Sequence, residues 1–299
     1  MPTASDPRPW LEAWTDALYG PGGFFLRERP GAHFRTNVAV PVFAVAIREL
    51  AGRVDRALGF PDPFDLVDVG AGRGELLQAL VDVPARWRLT GVDLADATGP
   101  FAWSHEIPEM TGLLLANEWL DNVPLVVIDD GREVLVDDAG DEHPGVATSS
   151  PWAQRWWPQG GRVEDGSRRD QAWARAVSHV RRGVAVAIDY GHSRHDRRAT
   201  LTGYRDGRQV RPVPDGSCDL TAHVALDSCA AATGARLLTQ REALLGLGIS
   251  AALPAAGGAS YAVELERVSQ ARELLDPQGL GGFGWLVQSV GLDAGWMPW

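Results

Sequence analysis

From Phe64 onward the chain alternates short apolar runs with helix-length amphipathic stretches: FDLVDVG, GELLQALVDV, RLTGVDL, LLLANEW and later GVAVAIDYG. Strand-length runs separated by helical segments predict βαβ units and a mostly parallel sheet, with ligands expected at the carboxyl ends of the strands. Before them, residues 1 to 59 read as an N-terminal helical extension. It has a glycine turn at Gly20 to Gly23 and an apolar helical stretch from Val38 to Leu58, and Pro61 and Pro63 punctuate its end. Residues 60 to 299 form the expected α/β domain. Residues 131 to 178 break its rhythm with a polar loop holding Asp137, Asp138, Asp141 and Glu142, then PWAQRWWPQG and a helix ending near Val180. They read as an insertion after the fourth strand, with Trp152, Trp156 and Trp157 better suited to packing than to lining a groove. GGFGWLVQSVGL predicts a final, glycine-flanked strand.

The first apolar strand runs into Asp68-Val69-Gly70-Ala71-Gly72-Arg73-Gly74-Glu75. Glycines suit such a turn because it needs unusual backbone angles and because a ligand must approach the chain without meeting a Cβ. A dinucleotide loop would read G-x-G-x-x-G, whereas here Glu75 stands where the last glycine would fall. Asp68, two residues ahead of Gly70, would repel a pyrophosphate and attract a cationic amino group. The second strand ends at Asp93, nineteen residues beyond Gly74, where a carboxylate can accept both hydroxyls of a ribose. A glycine turn plus an acid can also be a plain structural connection. Two such features in order on consecutive strands make S-adenosylmethionine, cationic and free of phosphate, the expected cofactor.

The run LLLANEWLDNVPL turns from apolar to polar at Asn117, Glu118 and Asp121. If the sheet is that of a seven-stranded methyltransferase, this is its fourth strand, and Asn117 to Pro124 lie where methyl donor and acceptor meet. Two carboxylates suit a guanidinium, which offers five donors in a planar fork, and they can receive the proton lost on transfer. Their spacing of three residues places both on one side of a helical turn if a helix starts there. The plainer reading is an N-terminal cap, with Asn117 as cap residue and the acids complementing the helix dipole.

Composition narrows the chemistry. All 28 basic residues are arginine, so Walker-type phosphate loops and lysine Schiff-base chemistry are excluded. A net charge of −11 argues against nucleic acid as a partner and is easily reconciled with a cationic one. No apolar run approaches the roughly 20 residues that cross a bilayer. The start, MPTASDPRPW, lacks a secretion-signal layout, so no membrane partner and a cytosolic address are expected. Cys218 and Cys229 are too few for a zinc or disulfide framework. The two histidines and aspartate of GHSRHDRR, residues 191 to 198, read as a solvated, mobile segment and not a metal site, so no metal is expected. His33 beside Phe34, and His223 in an expected helix after Asp219, read as hydrogen-bonding residues.

HFRT at 33 to 36, DVGAGRGELL at 68 to 77, Trp103 in FAWSHEIP, ANEWLDNVP at 116 to 124, IDYG at 188 to 191, ATLTGY at 199 to 204 and GSCDLTAHV at 216 to 224 occur in order across the chain. Together they resemble the MidA family of S-adenosylmethionine-dependent methyltransferases, whose mitochondrial members methylate an arginine of a respiratory complex I subunit. The resemblance implies a Rossmann-like, seven-stranded class I methyltransferase sheet. It implies that Gly70, Gly72 and Gly74, with Asp68 and Thr36, form the donor site, that Asp93 binds the ribose, and that Glu118, Asp121 and Asn117 face the acceptor. Asp189, Tyr190, Asp219 and His223 match family positions near the pocket. The chain departs from the family by having aspartate at 68 and 93, leucine at 120, and Asn122-Val123 in place of alanine-leucine. The expected partner is a protein with an exposed arginine or a small cationic substrate, with a homodimer as a further option. The alternatives are methylation of small amines or hydroxyls, to which the compact insertion points, and a donor-binding assembly factor without turnover.

Overall fold

The computed structural model describes residues 6–27, 36–80, 82–97, 99–253, 261–297 and 299. Its chain divides into two compact units. One holds residues 36–118, 176–190 and 234–299, and the other holds 1–35, 119–175 and 191–233.

The first unit is built on a seven-stranded sheet. Its strands are β1 (Phe64–Val69), β2 (Trp87–Val92), β3 (Ala102–Ser104), β4 (Met110–Asn117), β5 (Val180–Asp189), β6 (Arg236–Thr239) and β7 (Gly284–Val290), in the spatial order β6-β7-β5-β4-β1-β2-β3. Strands β3, β2, β1, β4 and β5 are parallel, and β7 runs antiparallel to both β5 and β6. All six residues of β1 are buried, and β4 and β5 carry unbroken apolar runs, as expected of strands covered on both faces. Helix α1 (Pro41–Ala57) begins with a proline at its first turn and buries Val42, Phe43, Ala46, Ile47, Leu50 and Val54, one stripe at helical spacing. That stripe joins Leu66, Leu113, Leu115, Val184, Val186 and Trp285 in one core.

After β1 the expected helix GELLQALVDV is only the five-residue α2 (Glu75–Ala79). Helix α3 (Gln240–Gly246) opens with a reciprocal capping box in which Thr239 and Glu242 satisfy each other's backbone N–H. Helix α4 (Tyr261–Leu275) follows. None of the described helices is long and apolar enough to cross a membrane.

The second unit packs the helix Trp10–Tyr19 with short antiparallel strands. Trp10, Trp14, Leu18 and Phe24 meet Leu125, Val127, Val134, Val136 and Leu220 in its core. Segment 131–178, expected as a polar loop and a helix, also contains the strands Arg132–Val136, Glu142–Ala147 and Val163–Asp165. The polar loop is the turn between the first two of these strands, which pair antiparallel. Trp157 is buried with Ile128 and Val163, as packing of the insertion requires.

Candidate functional site

The parallel register sets the carboxyl edge of the first unit's sheet. Val69 pairs with Val92 on one side and Ala116 on the other, so the glycine loop, Asp93 and Asn117-Glu118 leave the sheet at the same edge. Gly70, Gly72 and Gly74 take φ of 73°, 60° and 81°, the left-handed region in which a Cβ is disfavoured. At Gly74 a Cβ would also stand 2.5 Å from Phe101 Cζ, so this glycine is required twice over. The loop is laced to β2: Gly70 N donates to Val92 O at 2.9 Å, and Gly72 N donates to Asp93 Oδ2 at 2.9 Å. Ala95 N donates to Asp93 Oδ1 at 3.0 Å.

Asp68 is buried at 4 % exposure. Burial, followed by the charges of Asp93 and Glu75, pushes its pKa up to about 8. Asp93 is also raised, chiefly by burial, against the lowering effect of the N–H groups of Ala95 and Gly72. Three carboxyl groups thus crowd one loop, and burial among like charges favours the protonated form of Asp68. Such a loop fits a ligand with an ammonium group. Trp103, matched by sequence, packs on Gly91 and donates its indole N–H to Ala95 O at 3.1 Å. Phe101, which closes against Gly74, was not singled out by sequence reasoning; it reads as one more aromatic in FAWS.

Asn117 is the last residue of β4 and not a helix cap. Glu118 follows with φ of 52°, unusual for a residue with a side chain, and its N–H donates to Ile188 O at 2.8 Å. Its Oε1 accepts from Asn117 Nδ2 and from Asn37 N, both at 3.0 Å. No α-helix starts here; the chain makes only a 3₁₀ turn, Leu120–Asn122, so neither the helical-face reading nor the dipole reading of the acids holds. Thr36 flanks another 3₁₀ turn, Asn37–Ala39, without a side-chain cap bond; His33, Phe34 and Arg35 lie outside the described residues. Asp189 ends β5 fully buried, and the ring of Tyr190 stands edge-on to Phe283 at 5.4 Å.

In the second unit, Asp121 is buried at 3 % exposure and its Oδ2 accepts from the Thr221 hydroxyl at 2.8 Å. Asn122, a departure from the family pattern, donates to Asp219 Oδ1 at 3.2 Å. Arg169, in the inserted segment, went unnoticed in the sequence. It is buried at 1 % exposure and donates to the carbonyls of Val123 at 3.0 Å, Ala222 at 2.8 Å and His223 at 3.0 Å, and also to that of Asp121. One guanidinium thereby ties ANEWLDNVP to DLTAHV. His223 lies between the strands Asp219–Thr221 and Val224–Ala225, not in a helix.

GHSRHDRR is not simply solvated, because His192 and Arg197 are both buried. Arg197 pairs with Asp227 at 2.7 Å, donates to Trp156 O and His192 O, and lies over the rings of Trp152 and Trp157. Burial, then the charges of Arg197 and His223, lowers His192 to about 3. Burial, then Arg198 and Arg169, also lowers His223.

These features define an enzyme class, and comparison with known proteins identifies it. The family model Methyltransf_28, which describes S-adenosyl-L-methionine-dependent methyltransferases, matches residues 86–241, and the chain belongs to that family. S-adenosylmethionine is its cofactor. The match includes Asp93, Asn117, Glu118, Asp121, Asp219 and His223; the glycine loop and Asp68 precede it. Two solved structures of COG1565 superfamily proteins from Burkholderia thailandensis share the fold. One, bound to S-adenosyl-homocysteine, is 22% identical with a TM-score of 0.74, over 96% of this chain and 89% of that one. The other is 24% identical with a TM-score of 0.77, over 96% of this chain and 88% of that one. No curated protein matches the chain.

Proposed function

We propose that this methyltransferase is of the MidA type, with a class I sheet, and that its acceptor is an arginine guanidinium of a protein. The observation that carries the reading is Glu118. It is a carboxylate held in a disfavoured backbone conformation at the sheet edge that also bears the glycine loop, with two N–H groups fixing one oxygen. Bound S-adenosylmethionine supplies an electrophilic methyl carbon on a positive sulfur. Asp68, losing its proton as a cation arrives, and Asp93 hold the donor, while the bare glycines let it approach the backbone.

Glu118 accepts N–H groups of the guanidinium and aims one nitrogen lone pair. The donor, held by Asp68, Asp93 and the glycine loop, would supply its methyl group to that nitrogen and leave as the neutral sulfide, and the Glu118 carboxylate would take the proton the nitrogen sheds. The COG1565 relative bound to S-adenosyl-homocysteine supports the donor assignment, since that molecule is the demethylated donor.

The test is to incubate the purified protein with methyl-labelled S-adenosylmethionine and host lysate. A labelled protein band that disappears in Glu118→Ala is the expected result. Label confined to small metabolites would refute the protein acceptor, and donor binding with no labelled product at all would refute turnover.

A further inference from the structure

Three side chains with no assigned role, Trp285, Gln240 and Asn37, join Asn117 in a one-way chain that ends on Glu118. Trp285 Nε1 donates to Gln240 Oε1 at 3.1 Å, and Gln240 Nε2 donates to Asn37 Oδ1 at 2.8 Å. Asn37 Nδ2 donates to Asn117 Oδ1 at 3.1 Å, and Asn117 Nδ2 donates to Glu118 Oε1 at 3.0 Å. Asn37 contributes a second time, its backbone N–H meeting the same Oε1 at 3.0 Å. Trp285, Gln240 and Asn37 have no exposure and Asn117 has 7 %, so water cannot substitute for any link.

Direction is imposed at the far end. An indole N–H can only donate, so Gln240 must present its oxygen to Trp285. The remaining amide hydrogen of Gln240 is taken by Leu280 O at 2.9 Å, an acceptor only, which bars the flipped amide a second time. With Gln240 fixed, Asn37 must accept and then donate, and Asn117 must do the same. What reaches Glu118 is therefore always an N–H, which suits a carboxylate and opposes a carboxylic acid proton on that oxygen.

The indole and the three buried amides tied this way come from four separate elements: β7, the first residue of α3, the turn before α1, and the end of β4. The capping box at Thr239 fixes the start of α3, and Gln240 N donates to Phe283 O at 2.7 Å. A network of this kind costs desolvation unless every member is satisfied, which favours a role in holding geometry over one in adding stability.

We propose that Trp285, Gln240, Asn37 and Asn117 are positioning residues which fix the orientation and the charged state of Glu118 for methyl transfer. The inference rests on the acceptor role given to Glu118 above.

The test combines side-chain amide NMR of the S-adenosylhomocysteine-bound protein with labelling of the lysate acceptor. In Trp285→Phe the Asn37 and Asn117 Nδ2 resonances are expected to double or shift, since the donor-only anchor is gone. In Glu118→Gln the Asn117 Nδ2 resonance should move. Labelling by Trp285→Phe should fall in kcat by roughly tenfold to a hundredfold, as for a slightly misplaced reacting group. Its apparent KM for the donor should stay within about twofold, the mark of an effect on transfer and not on donor binding.

Should Trp285→Phe fail to fold, Gln240→Met keeps the volume while removing the amide and carries the same expectations. Unchanged amide resonances, or labelling that persists at the wild-type rate in a folded variant, overturn the relay. Label that persists in Glu118→Ala instead overturns the acceptor reading, and with it the relay's part in transfer; the amide resonances still report whether the chain of bonds exists.

Discussion

The glycine loop of the first unit and the Arg169 and Arg197 clusters of the second handle buried charge in opposite ways. In the first, Asp68 is buried among like charges, Asp93 and Glu75, and stays neutral by holding a proton. In the second, buried arginines supply the positive charge: Arg197 pairs with Asp227, Arg169 gathers backbone carbonyls, and His192 and His223 are kept neutral beside them. The first arrangement is electrostatically unfinished and gains from an incoming cation. In the second, the two arginines bind carbonyls and an aspartate from separate loops and hold those loops together. The donor site proposed above rests on those unmatched carboxyl groups of the first.

The largest effect should come from breaking the second arrangement. Arg169→Ala strips four carbonyls of their donor, and at about 1 kcal/mol for each buried acceptor it should cost roughly 3–5 kcal/mol by denaturant unfolding. A loss below about 1 kcal/mol would mean that water replaces the guanidinium, removing the contrast between the units.

Next are two opposite pH dependences. Asp68 binds its proton more tightly folded than unfolded. Its contribution is therefore fully present below the ordinary value of 3.8 and is lost as pH rises toward about 8, at about 1.4 kcal/mol per unit. Asp68→Asn should flatten that alkaline slope. His192 binds its proton less tightly folded than unfolded, so stability is present above the ordinary value of 6.5 and is lost as pH falls toward about 3. His192→Phe, which keeps the edge-on contact with Trp157, should flatten the acid slope. Unfolding curves across pH that keep either slope in its variant would contradict the assignment.

The smallest effect concerns the backbone. With φ of 52° at residue 118, Glu118→Gly should be more stable than Glu118→Ala by about 1 kcal/mol. Equal stabilities would show that the left-handed conformation is not retained.

The strand ends and the glycine loop were largely legible because their signals are local. Apolar runs ending in Asp68, Asp93 and Glu118 mark strand tips, and glycines mark the loop between. Asn37 and Gln240 were illegible for the opposite reason: each looks like an ordinary polar residue in a helical stretch, and they meet across more than 200 residues of chain. Arg197 reads as a solvated charge and Arg169 draws no notice, because nothing local says that tryptophans and carbonyls will enclose them. The short strands of the 131–178 segment were missed because runs of three to six residues with polar interruptions carry little periodicity. His223 was misplaced in a helix because it links two strands of only three and two residues, Asp219–Thr221 and Val224–Ala225.

The most direct test of the unmatched-charge account is calorimetric titration of S-adenosylhomocysteine into the wild-type protein and Asp68→Asn from pH 6 to 9. The wild type should bind, with affinity rising by up to about tenfold per pH unit until Asp68 is ionised near pH 8, while Asp68→Asn should bind weakly and without that slope. No binding at any pH, or a wild-type affinity that ignores pH, would contradict it.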